Sequence, residues 1–111
     1  MDILLAINFS PRSQTLIKKV AEGSWPPDTT VRILAGVDNS PPSAFELWFD
    51  AAGSLDAVME ARKERSRELA ERAAAVLRDK GLKVETRVQI GSSRRIIAFE
   101  NRKLPPDVIL K

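Results

Sequence analysis

Residues 3–7 read ILLAI, five apolar side chains in a row, and give way at once to Asn8-Phe9-Ser10-Pro11. An unbroken apolar run of this length belongs to a strand covered on both faces, the habit of parallel strands. Ser10-Pro11 then offers an N-cap followed by proline at the first helical position. Leu16, Ile17, Val20 and Ala21 recur at helical spacing, so the chain predicts a helix over 11–22. Gly23 sits just past its end, as a C-terminal glycine. A buried strand that feeds directly into a helix commits the chain to α/β architecture.

The remaining segments repeat the alternation. SWPPDTT is a loop, because two prolines continue neither element. Val31–Val37 alternates and is β-branched, a second strand that ends at Asp38-Asn39. NSPPSAF is turn-rich, and Phe45–Ala52 (FELWFDAA) is either a helical turn or an ordered loop. Ser54 to about Lys80 is rich in strong helix formers. Leu69, Ala73, Val76 and Leu77 make its apolar stripe; Leu55, Val58 and Met59 begin another. Arg62–Arg67 is almost wholly charged and reads as a solvated face. Such a helix is about 40 Å long, so its first turns are expected to bend or project. Gly81 ends it.

Leu82–Ile90 alternates strictly, the pattern of a half-buried edge strand. Gly91-Ser92-Ser93 turns into a helix over about 93–103, with Ile96, Ile97 and Phe99 apolar, and Pro105-Pro106 breaks it. Asp107–Leu110 is a short fourth strand. The sum, β-α-β-α-β-α-β, calls for a parallel sheet with helices on both faces and right-handed crossovers. A central first strand and an edge third strand give the order 3-2-1-4. Its switch point lies between strands 1 and 4, and ligands of open α/β sheets bind beyond the carboxyl ends there. Asn8–Ser10 is one lip of that crevice.

With 111 residues, one domain is expected, burying roughly two thirds of its extended-chain surface. No run approaches the ~20 apolar residues of a membrane span, and no signal-peptide pattern is visible. With no cysteine, nothing argues for an oxidising compartment, so a soluble, cytoplasmic protein is expected. The net charge of +3, with both signs interspersed, fits ordinary solubility. No His, Cys or Tyr is present. That excludes a His general base, a thiolate nucleophile and a His/Cys metal cluster. The remaining Asp, Glu, Lys, Ser and Thr form no catalytic constellation, so no enzyme is expected.

Two blocks, ILLAINFSPRSQTLIKKVAEGSWPPDTTVRILAGVD and LRDKGLKVETRVQIGSSRRIIAFENRKLPPDVIL, match the universal stress protein family in order and spacing. Together they cover most of the chain, which resembles that family on their combination rather than on any one piece. The resemblance implies a three-layer, Rossmann-like (adenine nucleotide alpha hydrolase-like) sheet of order 3-2-1-4 with a fifth strand beside the fourth. It also implies a cytoplasmic stress-response protein, commonly a homodimer, in a family where some members bind ATP and others do not. In the binders an Asp at the end of strand one faces the adenine and the end of strand two lines the pocket. A loop of pattern glycine, two residues, glycine, nine residues, glycine and Ser or Thr holds the phosphates, because glycines let backbone N–H groups approach an anion. Carried onto this sequence, the nucleotide positions are Ala6, Asn8, Ser10, Val37 and Asp38.

Two departures matter. Asn8 stands at the Asp position, and no phosphate loop follows strand four, because all five glycines (23, 36, 53, 81, 91) precede it. The chain resembles a single domain over 1–111 cut after strand four, without the last helix and fifth strand. The expectation is a non-catalytic module with weak or no ATP binding and no required cofactor. The alternative is a binder of ATP or AMP whose phosphate loop comes from a partner chain or a further C-terminal segment.

Each candidate residue has a plainer reading beside the functional one. Asn8 is an adenine contact or local turn chemistry, and the latter is preferred because the other half of the pocket is absent. Val37 and Asp38 flank a nucleoside or simply end a strand. Gly91-Ser92-Ser93 with Arg94 and Arg95 holds an anion or caps a helix. Nucleic-acid binding wants a denser basic stripe with aromatics interleaved than the same helix offers with Arg102 and Lys103, so it is not expected. Trp48 among Phe45, Leu47 and Phe49 is a lid, a partner surface or a loop packed on its own core. Trp25 is packing. A fourth strand with nothing beyond it leaves Val108, Ile109 and Leu110 on an open edge, which invites pairing into a homodimer.

Overall fold

Asp2–Ile7 form β1, one of the two interior strands of a four-stranded sheet. The computed structural model describes residues 1–50, 54–91 and 107–110. After β1 come α1 (Pro11–Glu22), β2 (Thr30–Val37), a short π-type turn (Glu46–Asp50), α2 (Leu55–Asp79), β3 (Lys83–Ile90) and β4 (Val108–Leu110). The order is β3-β2-β1-β4 and every pairing is parallel. Leu5 lies between Ile33 and Leu110 in register. This is the parallel sheet and the strand order that the alternating pattern implies, with both described helices, α1 and α2, on the same face. The helix expected over 93–103, with its arginines, lies outside the described residues.

The ILLAI run is unbroken because both faces of β1 are covered. Ile3, Leu5 and Ile7 join Ile17 and Val20 of α1 and Leu69, Ala70, Ala73, Ala74 and Leu77 of α2. Leu4 is buried with Leu34 on the opposite face, where Ala6 packs against them. Alternation was expected along β2, but nearly every residue there is buried. The cause is position: β2 lies between β1 and β3. Arg32 shares that burial and is neutralised by Asp2, at 3.3 Å from Nη2 to Oδ2. β3 is half-buried as an edge strand should be, except that Ile90 at its end is exposed.

Three local expectations fail for physical reasons. Val76 and Leu55 do not lie on the buried stripe of α2, being 48% and 57% exposed. Alanines at 70, 73 and 74 take that face and let the helix approach the sheet closely. The first turns of α2 are not free either, since Val58 is fully buried and Ser54 caps the helix by accepting from the Ala57 N–H. Gly23 is extended, at φ −72° and ψ 154°, not left-handed. A Cβ there would stand 2.8 Å from Trp25 Nε1, the atom that donates to the Val20 carbonyl at 2.8 Å. Glycine is required by the close indole, not by backbone handedness.

Candidate functional site

In a parallel sheet all strands end on one rim. Asn8 and Ser10 follow β1, Val37 ends β2, Asp38 follows it, and Gly91 follows β3. Gly91 needs its residue type, at φ 134°, and donates its N–H to the Val37 carbonyl. Asn8 lies one residue past the Ile7–Ala35 pair. The rim therefore brings together four of the five expected nucleotide positions. Ala6 lies below it, packed on Leu34, and the Val37 side chain is buried in the core, so only its backbone reaches the rim.

Asn8 forms local turn chemistry, as preferred from its sequence. Its Oδ1 accepts from the Ser10 N–H at 2.9 Å and from the Ser13 hydroxyl at 3.1 Å. Its own N–H donates to Ser13 Oγ at 2.9 Å. Ser10 stands at the N-cap position, yet its side chain makes no capping bond; Asn8 closes the turn instead. Ser13 was not anticipated. It is 3% exposed and sits on the same stripe of α1 as Ile17 and Val20. A polar residue on an apolar stripe was the available signal. Ser13→Ala leaves the Asn8 N–H without this acceptor, and a loss of about 1–3 kcal/mol is expected in urea denaturation.

On the β2 side of the rim a clamp is built around Arg62. Its Nε and Nη2 grip the Glu46 carboxylate, both at 2.7 Å, while Nη1 donates at 2.8 Å to the carbonyls of Asp38 and Ser40. Asp38 in turn accepts from the Ser40 N–H at 2.9 Å and hydroxyl at 2.8 Å. One turn further along α2, the Ser66 hydroxyl donates to the Gly36 carbonyl. One guanidinium thus ties the connection after β2 to α2. The Ser40 N–H and hydroxyl, with the Arg62 charge, hold the Asp38 carboxyl below its ordinary value. The Arg62 hydrogen bonds, then the charges of Arg62 and Arg65, do the same for Glu46. The expectation that 62–67 is wholly a solvated face is corrected: the Arg62 side chain is 11% exposed. It falls on the stripe of Val58, Ser66 and Leu69, the signal that could have revealed it.

Beyond this clamp the π-type turn carries Phe45 and Trp48 outward, 68% and 71% exposed, with Leu47 half-buried; the Phe49 side chain lies outside the described residues. Trp25 is packing, as expected. At the sheet edge Val108 and Leu110 pack on the core while Ile109 is exposed. A cleft of about 390 Å³ lies elsewhere, between Gly23, Trp25, Pro27, Asp28, Lys80 and Lys83, at the amino end of β3. Among the described residues no group of His, Cys, Asp and Glu is placed to hold a metal ion, and no helix is long and apolar enough to cross a membrane.

No family model and no curated protein matches this sequence. Solved structures do share its fold. The hypothetical protein MJ0577 superposes with a TM-score of 0.77 at 19% identity, over 97% of this chain and 71% of its own. A universal stress protein family member from Burkholderia pseudomallei gives 0.62 at 13% identity, over 97% and 77%. Universal stress protein UspA from Lactobacillus plantarum gives 0.56 at 18%, over 98% and 74%. At these identities the similarity is one of fold.

Proposed function

We propose that this chain is a universal stress protein domain, a non-catalytic stress-response module with weak or no ATP binding. The observation that carries the reading is the amide at the end of β1. Asn8 occupies the position where the resemblance places an adenine-facing carboxylate, and its oxygen is spent on Ser10 and Ser13. The similarity in fold to two proteins named as universal stress proteins supports the family assignment. Titration calorimetry of the 111-residue chain with ATP and AMP, with and without magnesium, tests it. No saturable heat at micromolar concentration is expected; saturable micromolar binding overturns the proposal.

The second reading is an ATP- or AMP-binding module that completes its phosphate site with a partner chain or further sequence. It is favoured by the gathering of Asn8, Ser10, Val37 and Asp38 on one rim. We also propose self-association along β4, whose outer edge has no strand beyond it among the described residues. Unpaired backbone groups beside Ile109 are a template for a second copy. Sedimentation at high micromolar concentration is expected to show a dimer, and a clean monomer contradicts this. Cytoplasmic residence belongs to the same proposal.

A further inference from the structure

We infer that the rim at Asn8 selects a ligand carbonyl over a ligand amino group, so that the base it takes is a 6-oxopurine of the hypoxanthine or guanine type rather than adenine. This rests on the second reading above in so far as the rim holds a purine base, and it replaces that reading's ATP or AMP by a 6-oxopurine nucleotide.

The polarity of the Asn8 side chain is set by the protein. The Ser10 N–H, at 2.9 Å, can only donate, so the atom facing it is the amide oxygen and not the amide nitrogen. Rotating the amide by half a turn would set Nδ2–H against Ser10 N–H, two donors face to face. It would also remove the acceptor of the Ser13 hydroxyl. Both Oδ1 bonds belong to the βα turn that launches α1, so a ligand cannot reverse the group without loosening that turn. Nδ2 makes no bond to a described residue, and Asn8 is exposed on the rim. What position 8 presents outward is therefore a donor and nothing else.

A donor at this point of an open α/β sheet, beside the switch point between β1 and β4, asks for an acceptor on the ligand. The 6-oxo group of hypoxanthine or guanine supplies one. The 6-amino group of adenine brings a second donor, and two donors left facing each other weaken binding by about tenfold or more. A carboxylate at position 8 would behave in the opposite way. One oxygen would accept from Ser10 and Ser13 as the amide does, and the other would face outward as an acceptor suited to an amino group. A single atom, nitrogen in place of oxygen, inverts the preference.

Inosine and adenosine are the probes, because they differ only at purine position 6 and the ring nitrogen beside it, and they need no phosphate site. Their affinities for the 111-residue chain and for Asn8→Asp are compared by equilibrium binding up to millimolar concentration. Thermal melting accompanies each variant, and an unchanged midpoint is expected because the carboxylate keeps both inner bonds. The expected result is inosine tighter than adenosine by about tenfold or more, with the order reversed in Asn8→Asp. Equal affinities, tighter adenosine, or a ratio untouched by Asn8→Asp overturn the inference while the nucleobase reading stands. Binding of neither nucleoside overturns that reading and the inference with it.

Discussion

Leu5→Ala lowers the stability of the domain by about 2–5 kcal/mol. Leu5 is fully buried in the strand between β2 and β4. It packs among side chains drawn from the other strands, α1 and α2. Deleting its three terminal carbons removes the transfer free energy of those carbons and leaves a void that the pairings on either side of β1 prevent from collapsing. Domains of this size hold about 5–15 kcal/mol in all, so the variant lies near the margin of folding. In urea the midpoint falls while the slope is kept. Leu55→Ala is the control, because Leu55 is 57% exposed and its loss is expected within ~0.5 kcal/mol. A Leu5→Ala loss no larger than that of Leu55→Ala contradicts the central placement of β1.

Arg62→Met produces the second large effect, several times that of Arg67→Met on the same helix. Arg67 pairs with Glu64 in the open, and exposed pairs of this kind contribute ~0.2–1 kcal/mol or less. Arg62 instead carries four hydrogen bonds, two of them to backbone carbonyls of the connection after β2. Its loss releases residues 38–46 from α2 together. Urea denaturation ranks the two variants, and equal losses would return Arg62 to the solvated face. The acid limb separates the two carboxylates of the clamp. The Asp38 and Glu46 carboxyls are held below their ordinary values of 3.8 and 4.5, so the folded state binds fewer protons than the unfolded one. The stability they add is complete above those ordinary values and is lost as pH falls through the lower folded values. Arg62 is the leading cause at Glu46 but only a lesser one at Asp38, where Ser40 leads. Arg62→Met is therefore expected to flatten the Glu46 share of the acid dependence and leave most of the Asp38 share.

The parallel sheet and its order were legible because strand–helix alternation calls for the sheet and the covering of β1 and β3 orders it. ILLAI needs two covered faces, while KVETRVQI needs one, and these patterns place β1 inside and β3 at the edge. The rim followed from that order. What local periodicity missed are polar residues that belong to the core side of their helices. Arg62 sits in a run of six residues, RKERSR, five of them charged, and only the fold of the connection 38–46 distinguishes one arginine from its neighbours. Ser13 is similar: its role is set by Asn8, five residues back across a turn. By position Gly23 is a helix stop, but the residue that demands it is Trp25, whose indole folds back on the helix end. In each case the deciding partner lies outside the repeat of the element itself.

The claim that this rim does not take ATP as the chain stands is tested most directly by heteronuclear NMR during an ATP titration with magnesium. The amides of Asn8, Ser10, Asp38 and Ser40 report the rim. They are expected to hold their positions through micromolar ATP. Progressive, saturating shifts confined to those amides would contradict the claim and make the chain an ATP-binding domain.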